Sequence, residues 1–471
     1  MSSFYNIGEK KDRPGVYKQY DKAGESEIPG AVYGVFAYPV HADNGPVNTV
    51  TTFTKDDIED FKAMYGTGGT TDGVLALFDG GATKVFVYRL GTGGEKGAIV
   101  LSASETSLLT LTTKYPTAIP FKITIKNKLG DTGVKQLLVY NDTELLETIE
   151  FASGASDSAN LVAAVNQYSK YLDAEKMADG EVQNATGSAL SDGDAPTVNN
   201  ASYADAFTAF EPLKWNFLVL DTVDTDVHAT VKSYIDRIFE EGSLGVCVLG
   251  ENKASGSMIA FEERKAHAAA FDDEKIIYLG SGYADSDGNE ITGYLAIAKQ
   301  AGILGSLESN KSATHTVIPG ATATLETLKN SQYTDAIKNG MLLLSPNSKG
   351  QVWFDSGVNT LITLRENQDE GWKKIRRTST RFELFDRIDR NVEPLIGKVN
   401  CDDIGVGDVV IAGQTIIDEM IKEGKLKDGG TFSEDTTLKR GSDYAYFVIA
   451  VDDLDSLEKI YLRYQFRFVS E

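Results

Sequence analysis

From Leu213 onward the chain repeats one alternation, a short and uniformly apolar run followed by a stretch with helical periodicity. The apolar runs are Trp215–Asp221 (WNFLVLD), Ser243–Gly250 (SLGVCVLG) and Lys275–Gly280 (KIIYLG). Between them Thr225–Phe239 places Val227, Val231, Ile235 and Ile238 on one helical face, and Ser257–Ala270 and Gly293–Leu304 read as further helices. A strand that is apolar on both faces must be covered on both. That is the mark of a parallel sheet between helices. The pattern therefore predicts an α/β domain, with Cys247 as a small buried hydrophobe.

A chain of 471 residues exceeds one compact core and calls for about three or four domains. Residues 1–27 form a polar arm with one extended piece at Arg13–Lys18. Residues 28–97 read as an α+β unit: strands AVYGVFAYPV and KVFVYRL flank a helix over Thr54–Tyr65, and GTGGEKG closes the unit as a hinge. Residues 98–180 change character. SLLTLTTK, FKITIKNK, VKQLLVYN and TELLETIEF are short strands between turn residues, which predicts a β-sandwich-like insertion, followed by a helix near Ser158–Tyr171. Gly180–Ala201 reads as a polar junction loop opening the α/β domain of residues 181–350. Residues 351–471 form a mixed domain. It has a helix at Arg381–Ile396 with Phe385, Ile388, Val392 and Leu395 as its stripe, a second helix at Thr415–Glu423, and two last strands, YAYFVIAV and EKIYLRYQFRFV. In the last strand Ile460, Leu462, Tyr464, Phe466 and Phe468 alternate with Tyr461, Arg463, Gln465, Arg467 and Val469.

A net charge of -23 argues against nucleic acid or an anionic membrane as a partner. No run approaches the ~18 apolar residues of a membrane span, and the start lacks a signal-like stretch, so synthesis in a reducing cytoplasm is expected. The usual catalytic devices are missing. Gly66–Gly69 and Gly91–Gly94 resemble phosphate loops in composition only, and neither completes G-x-G-x-x-G. His41, His228, His267 and His315 lack metal-ligand spacing, and Cys247 and Cys401 make no framework. Tyr283–Gly288 resembles a calcium loop, but Tyr283 and Tyr294 would stand where the first and last oxygens belong. No metal and no cofactor are expected. The basic cluster Lys373, Lys374, Arg376, Arg377, Arg381, Arg387 and Arg390 is interleaved with Glu383, Asp386 and Asp389. It reads as a solvated helix face or as an interface toward an acidic partner.

The C-terminal third then narrows the choice. VNTLITL, RFELFDRIDRNVEPLIGKVN, a short helix ending KEGKL, and YAYFVIAVDDLDSLEKIYLRYQF resemble, in order and spacing, the contractile-tail sheath proteins of phages and phage-derived particles of Gram-positive type. The opening RPGVY, the junction ALSDGDAPTVNNASYADAFTAFEPLKWNFLVLD and the helix GYLAIAKQAGILGS are similar to the family's arm, α/β entry and Ala/Gly-rich helix. The resemblance implies a non-enzymatic subunit stacked in six-fold rings around a tail tube, whose contraction drives the tube through a host envelope. It implies partners in the tube, baseplate and terminator proteins, assembly in the host cytoplasm, and a C-terminal domain facing the tube. It also implies strands exchanged between subunits, which assigns linking roles to Pro14, Gly15, Val16 and Tyr17 and to Tyr461, Leu462, Arg463, Tyr464, Gln465 and Phe466. Arg376, Arg377, Arg381 and Arg387 become expected tube or neighbour contacts. Strand addition suits such links, since main-chain hydrogen bonds survive large rotations between bodies. Two rivals remain open at this stage: an α/β hydrolase or nucleotide-dependent enzyme with a pocket at the carboxyl ends of the strands, and another self-assembling, capsid-like protein.

Overall fold

The computed structural model describes residues 2–4, 16–18, 33–254 and 256–466. Its centre is a seven-stranded sheet in the order Met341–Leu342, Ile276–Leu279, Val246–Gly250, Phe217–Val219, Val35–Val40, Lys84–Arg89 and Val50–Thr54. All neighbours are parallel except Val50–Thr54, which runs against Lys84–Arg89. The period-2 alternation of each strand feeds two cores. Phe36, Tyr38, Val85, Val87, Val219, Val248 and Ile277 share one face with the helices α1 (Ile58–Tyr65) and α2 (Asp72–Gly80). Ala37, Phe86, Leu218, Cys247, Leu249 and Tyr278 share the other with residues of later helices. The α/β architecture is as expected, but the boundary between 28–97 and 181–350 is not. Strands from both stretches lie in one sheet, because Phe217–Val219 pairs with Val35–Val40 and the insertion merely interrupts the chain between them.

That insertion holds two antiparallel sheets. One has the order Glu144–Ala152, Asp131–Asn141, Phe121–Lys128, Ala185–Ala189; the other has Leu172–Lys176, Thr106–Thr113, Ala98–Ala103. Both donate to a single core, with Leu109, Leu111, Ile123, Leu137, Val139 and Ile149 packed beside Leu161 and Val165 of α3 (Asp157–Tyr168). Because Ala185–Ala189 pairs with Phe121–Lys128, the module extends past the expected end at residue 180. GTGGEKG is no hinge either. The entering and leaving chains are zipped together, Thr92 with Thr197, Glu95 with Asp194 and Ala98 with Ser191, each pair exchanging both backbone bonds at 2.8–3.0 Å. Gly94 is required there by its φ of +85° and by Pro196 N, 2.9 Å from where a Cβ would stand.

Three helices were not foreseen: α2, α4 (Asn200–Phe210) and α8 (Asn330–Lys338). The start of α4 is fixed by Asn199, whose side chain accepts from Ala201 N and Ser202 N, inside a stretch whose composition reads as loop. The helices α5 (Thr225–Glu240), α6 (Phe261–Phe271) and α7 (Gly293–Ser306) follow the pattern, α6 starting four residues later than expected. In the C-terminal part α9 spans Ile375–Val392 and buries Phe382, Leu384 and Ile388, while Phe385 is exposed, so the expected stripe is rotated. Its partner α10 spans Asp403–Lys422, twelve residues longer at its start than predicted. Gly405 and Gly413 look like helix breakers, yet a Cβ would meet Asn400 O at the first and the Phe432 ring at the second. A hairpin, Thr431–Glu434 with Phe447–Ala450, packs on α10.

Candidate assembly surfaces

The two crevices a chemist would inspect first are closed. At the carboxyl ends of the adjacent strands Val35–Val40 and Phe217–Val219, where α/β folds commonly take ligands, Asp221 is fully buried and saturated. Its Oδ2 lies 2.5 Å from His41 Nδ1 and accepts from Thr70 Oγ1 at 2.7 Å, and its Oδ1 accepts from Tyr203 OH at 2.7 Å. The hydrogen bond to Asp221 raises the His41 pKa above its ordinary value against the opposing effect of burial. Beside it, Gly68 and Gly69 pack onto the Asp43 carboxylate and His41 O, so this loop turns an acid, not an anion site, toward itself. Two grooves among the described residues lie elsewhere. One of about 580 Å³ runs between α1 and the Glu144–Ile149 strand, and one of about 560 Å³ lies at the amino ends of the sheet strands against α9.

The remaining histidines are also accounted for. His267 Nδ1 sits 2.7 Å from Glu251, His228 is buried with Nε2 on Thr222 O, and His315 stacks on Trp353 at 3.9 Å. Among the described residues no group of three His, Cys, Asp or Glu side chains is placed to hold a metal. The calcium-like stretch is a turn in which Asp285 Oδ1 accepts from Asp287 N and Asn289 N.

The basic cluster is where sequence and structure part most. Arg376, Arg377, Arg381 and Arg387 have side chains only 7–15% exposed and already carry partners within the chain. Arg377 binds Asp453 and Asp369; Arg381 binds Glu274 and stacks on Trp372 at 3.8 Å; Arg387 binds Glu383 at 2.5 Å and Glu423 at 2.8 Å. As free contacts for a tube or neighbour these four are therefore corrected: they are internal fasteners. Spacing could not reveal this, since their acids lie up to 107 residues away. Glu383, fully buried, gathers Tyr33 OH, Ser309 Oγ, Arg387 and Lys425 Nζ, and so ties the start of the body to α9 and to the root of the C-terminal hairpin. Burial, with Glu383 next to it, drives the Tyr33 pKa far above its usual value.

What stays open is the chain's end. Leu457, Ile460, Tyr461, Leu462, Tyr464 and Phe466 are all at least 69% exposed, and Ile460–Phe466 form no ladder with any described strand. The expected last strand is thus not formed among the described residues, while Phe468 and Val469 lie outside them. Among the described residues the hairpin Thr431–Glu434 with Phe447–Ala450 has two strands, and Tyr444, Tyr446, Val448 and Ile449 are exposed. At the other terminus Val16–Lys18 pairs in parallel with Ser2–Phe4, in the register Ser3 to Tyr17. Pro14, Gly15 and the segment Asp21–Gly24 lie outside the described residues.

Residues 196–360 match the family model of the phage tail sheath protein central domain. The fold is similar to that of the sheath tail protein from Desulfitobacterium hafniense, at 18% identity and a TM-score of 0.71, covering 93% of this chain and all of that one. The sheath tail protein from Listeria innocua aligns at 19% identity and a TM-score of 0.68, over 89% of this chain and 94% of that one. The contracted helical sheath of the anti-feeding prophage aligns at 10% identity and a TM-score of 0.53, over 97% and 99%. No curated protein sequence matches the chain.

Proposed function

We propose that this chain, which carries a phage tail sheath central domain over residues 196–360, is the repeating subunit of a contractile sheath. The observation that carries the reading is that one match: a sheath domain forms the middle of a chain whose whole fold follows solved sheath proteins. The enzyme rival finds no support, since the crevice it needs is filled by His41, Thr70, Tyr203 and Asp221.

In this reading copies of the chain stack in six-fold rings around a tail tube and meet baseplate and terminator proteins at the ends. The particle is a phage tail or phage-like device assembled in a bacterial cytoplasm. The exposed alternation of Tyr461–Phe466 supports strand donation to a neighbour, whose two-stranded hairpin offers unpaired edges. Val16 and Tyr17, with Pro14 and Gly15 before them, would supply the second link. The insertion would lie outward and the C-terminal domain inward. Contraction needs no nucleotide if the extended lattice is held above a better-packed one.

Electron microscopy of the purified chain tests this. Hollow striated tubes are expected; discrete monomers, or flat sheets and closed shells, overturn it. Because subunits near -23 repel and the Debye length is about 10 Å at 0.1 M salt, light scattering should show assembly rising with salt. A chain lacking residues 1–20 should fold yet form fewer tubes.

A further inference from the structure

The segment just before the exposed end is held by charge, residue by residue. Lys374 Nζ binds Asp455 at 2.7 Å and Glu458 at 3.0 Å. Arg376 Nη1 donates to Ser456 Oγ at 3.0 Å, and Arg377 Nε donates to Asp453 at 2.8 Å, with a second guanidinium nitrogen on the same carboxylate. From the opposite side Ser312 and Thr314 hydroxyls donate to the other oxygen of Glu458 at 2.8 and 3.0 Å. Two backbone bonds complete the seat, Leu454 N to Lys425 O and Lys427 N to Asp452 O. Past Glu458 no such contact from a described residue holds Lys459–Phe466, where the exposed apolar residues cluster.

We propose that Asp453–Glu458 is an electrostatic clip that fixes the root of the C-terminal segment on the first turns of α9 and leaves the residues beyond it free to pair outside the chain. In an acidic protein the cations around the start of α9 are a scarce resource, and this strap takes Arg376 and Arg377 of its first turn and Lys374 just before it. The choice of charge over apolar packing has a consequence. Arg377 holds Asp453 while Lys374 holds both Asp455 and Glu458, so the register is fixed, and Leu457, the more exposed of the strap's two leucines, faces solvent and adds no adhesion. The partly buried pairs (Asp453 is 10% exposed, Glu458 16%) resist screening better than surface pairs, so the clip holds at ordinary salt and loosens near molar salt. Its purpose rests on the linking role proposed for the tail: it sets where a donated strand leaves the body and carries the pull when neighbours rotate.

Hydrogen exchange on the full chain, kept dilute enough to stay monomeric, tests the clip without any lattice. In the Lys374→Ala, Arg377→Ala double variant the amides of residues 453–458 should exchange at least about tenfold faster, with Val246–Gly250 unchanged. Asp453→Asn with Asp455→Asn should do the same from the tail side, where no core residue is touched. The charge swap Arg377→Asp with Asp453→Arg should restore slow exchange, which a packing role would not allow. Unchanged exchange in both neutralised variants, or no recovery in the swap, overturns the clip. Tube formation by the same variants is scored separately. Fast exchange with undiminished tubes would leave the clip standing and remove the linking role.

Discussion

The insertion after Gly97 and the hairpin near the C-terminus are built from the same antiparallel ladder, yet they finish differently. In the insertion seven strands and α3 close around one core, where Leu109, Leu111, Ile123 and Leu137 have no exposure. Even its buried cation is satisfied: Lys135 Nζ lies 2.7 Å from both Asp157 and Val182 O. The hairpin has two strands, a core that comes largely from α9 and α10, and an outer side of exposed Tyr444, Tyr446, Val448 and Ile449. Two strands alone are marginal in water, and an open apolar edge invites pairing. The contrast teaches that the insertion closes around its own core, whereas the C-terminal hairpin leaves an apolar outer side exposed among the described residues, the opening on which the proposed strand donation rests.

The largest expected effect strikes the closed region. Phe121→Ala, at a position 1% exposed, should cost about 3–5 kcal/mol of the insertion's stability, read by denaturant unfolding. A loss below ~1 kcal/mol would mean the insertion leans on contacts outside its own core. Next, Lys135→Met leaves Asp157 buried with only backbone donors from Gly154 and Val182. It should cost about 3 kcal/mol, and pairing it with Asp157→Leu should recover part of that. If the single change is neutral, the pair is not what closes the module.

A smaller effect sits under the insertion's root, where His41 joins Asp221 and Thr117 Oγ1 donates to the neighbouring Asp43 O. The folded His41 pKa is raised, first by the hydrogen bond to Asp221. Its contribution is therefore fully present below the unfolded value near ~6.5 and is lost as pH rises through the folded value. With the ring 38% exposed, the contribution should stay under ~1 kcal/mol. Thermal melts from pH 5.5 to 8.5 should show that slope in the native chain and not in His41→Asn. Equal slopes in both would remove His41 as its source.

The same contrast explains what was legible in the sequence. Apolar runs such as SLGVCVLG announce a doubly covered sheet, because their pattern is local. What joins Phe217–Val219 to Val35–Val40 is not local, so one sheet read as two domains. α10 begins at Asp403 rather than at the expected Thr415, and its added turns hold Gly405 and Gly413, poor helix formers that fit closely against Asn400 and Phe432. The arginines of α9 were visible and misread, since exposure depends on where Asp453 and Glu274 fall in space. Arg89 went unnoticed altogether. It is fully buried, donates to the carbonyls of Ala42, Gly45 and Pro116, and pins the insertion to the body, with burial lowering its pKa to about 10.

The smallest expected effect on the single chain is also the sharpest test of whether its C-terminal segment is donated. Arg463 and Gln465 are exposed and have no backbone partner among the described residues. A proline at either removes one main-chain donor and leaves Leu462, Tyr464 and Phe466 in place. If that donor serves only between subunits, each variant should melt within about 0.5 kcal/mol of the native chain while tube formation fails. Tyr464→Asp becomes informative for the same reason: at 75% exposure it should spare the monomer and impair the tubes through lost apolar contact rather than a lost hydrogen bond. Normal tubes from both prolines would show that the strand is not donated. A large fall in melting temperature for both would show that the strand pairs within its own domain. In that second case the comparison with the insertion would collapse, because both antiparallel regions would then be complete within one chain.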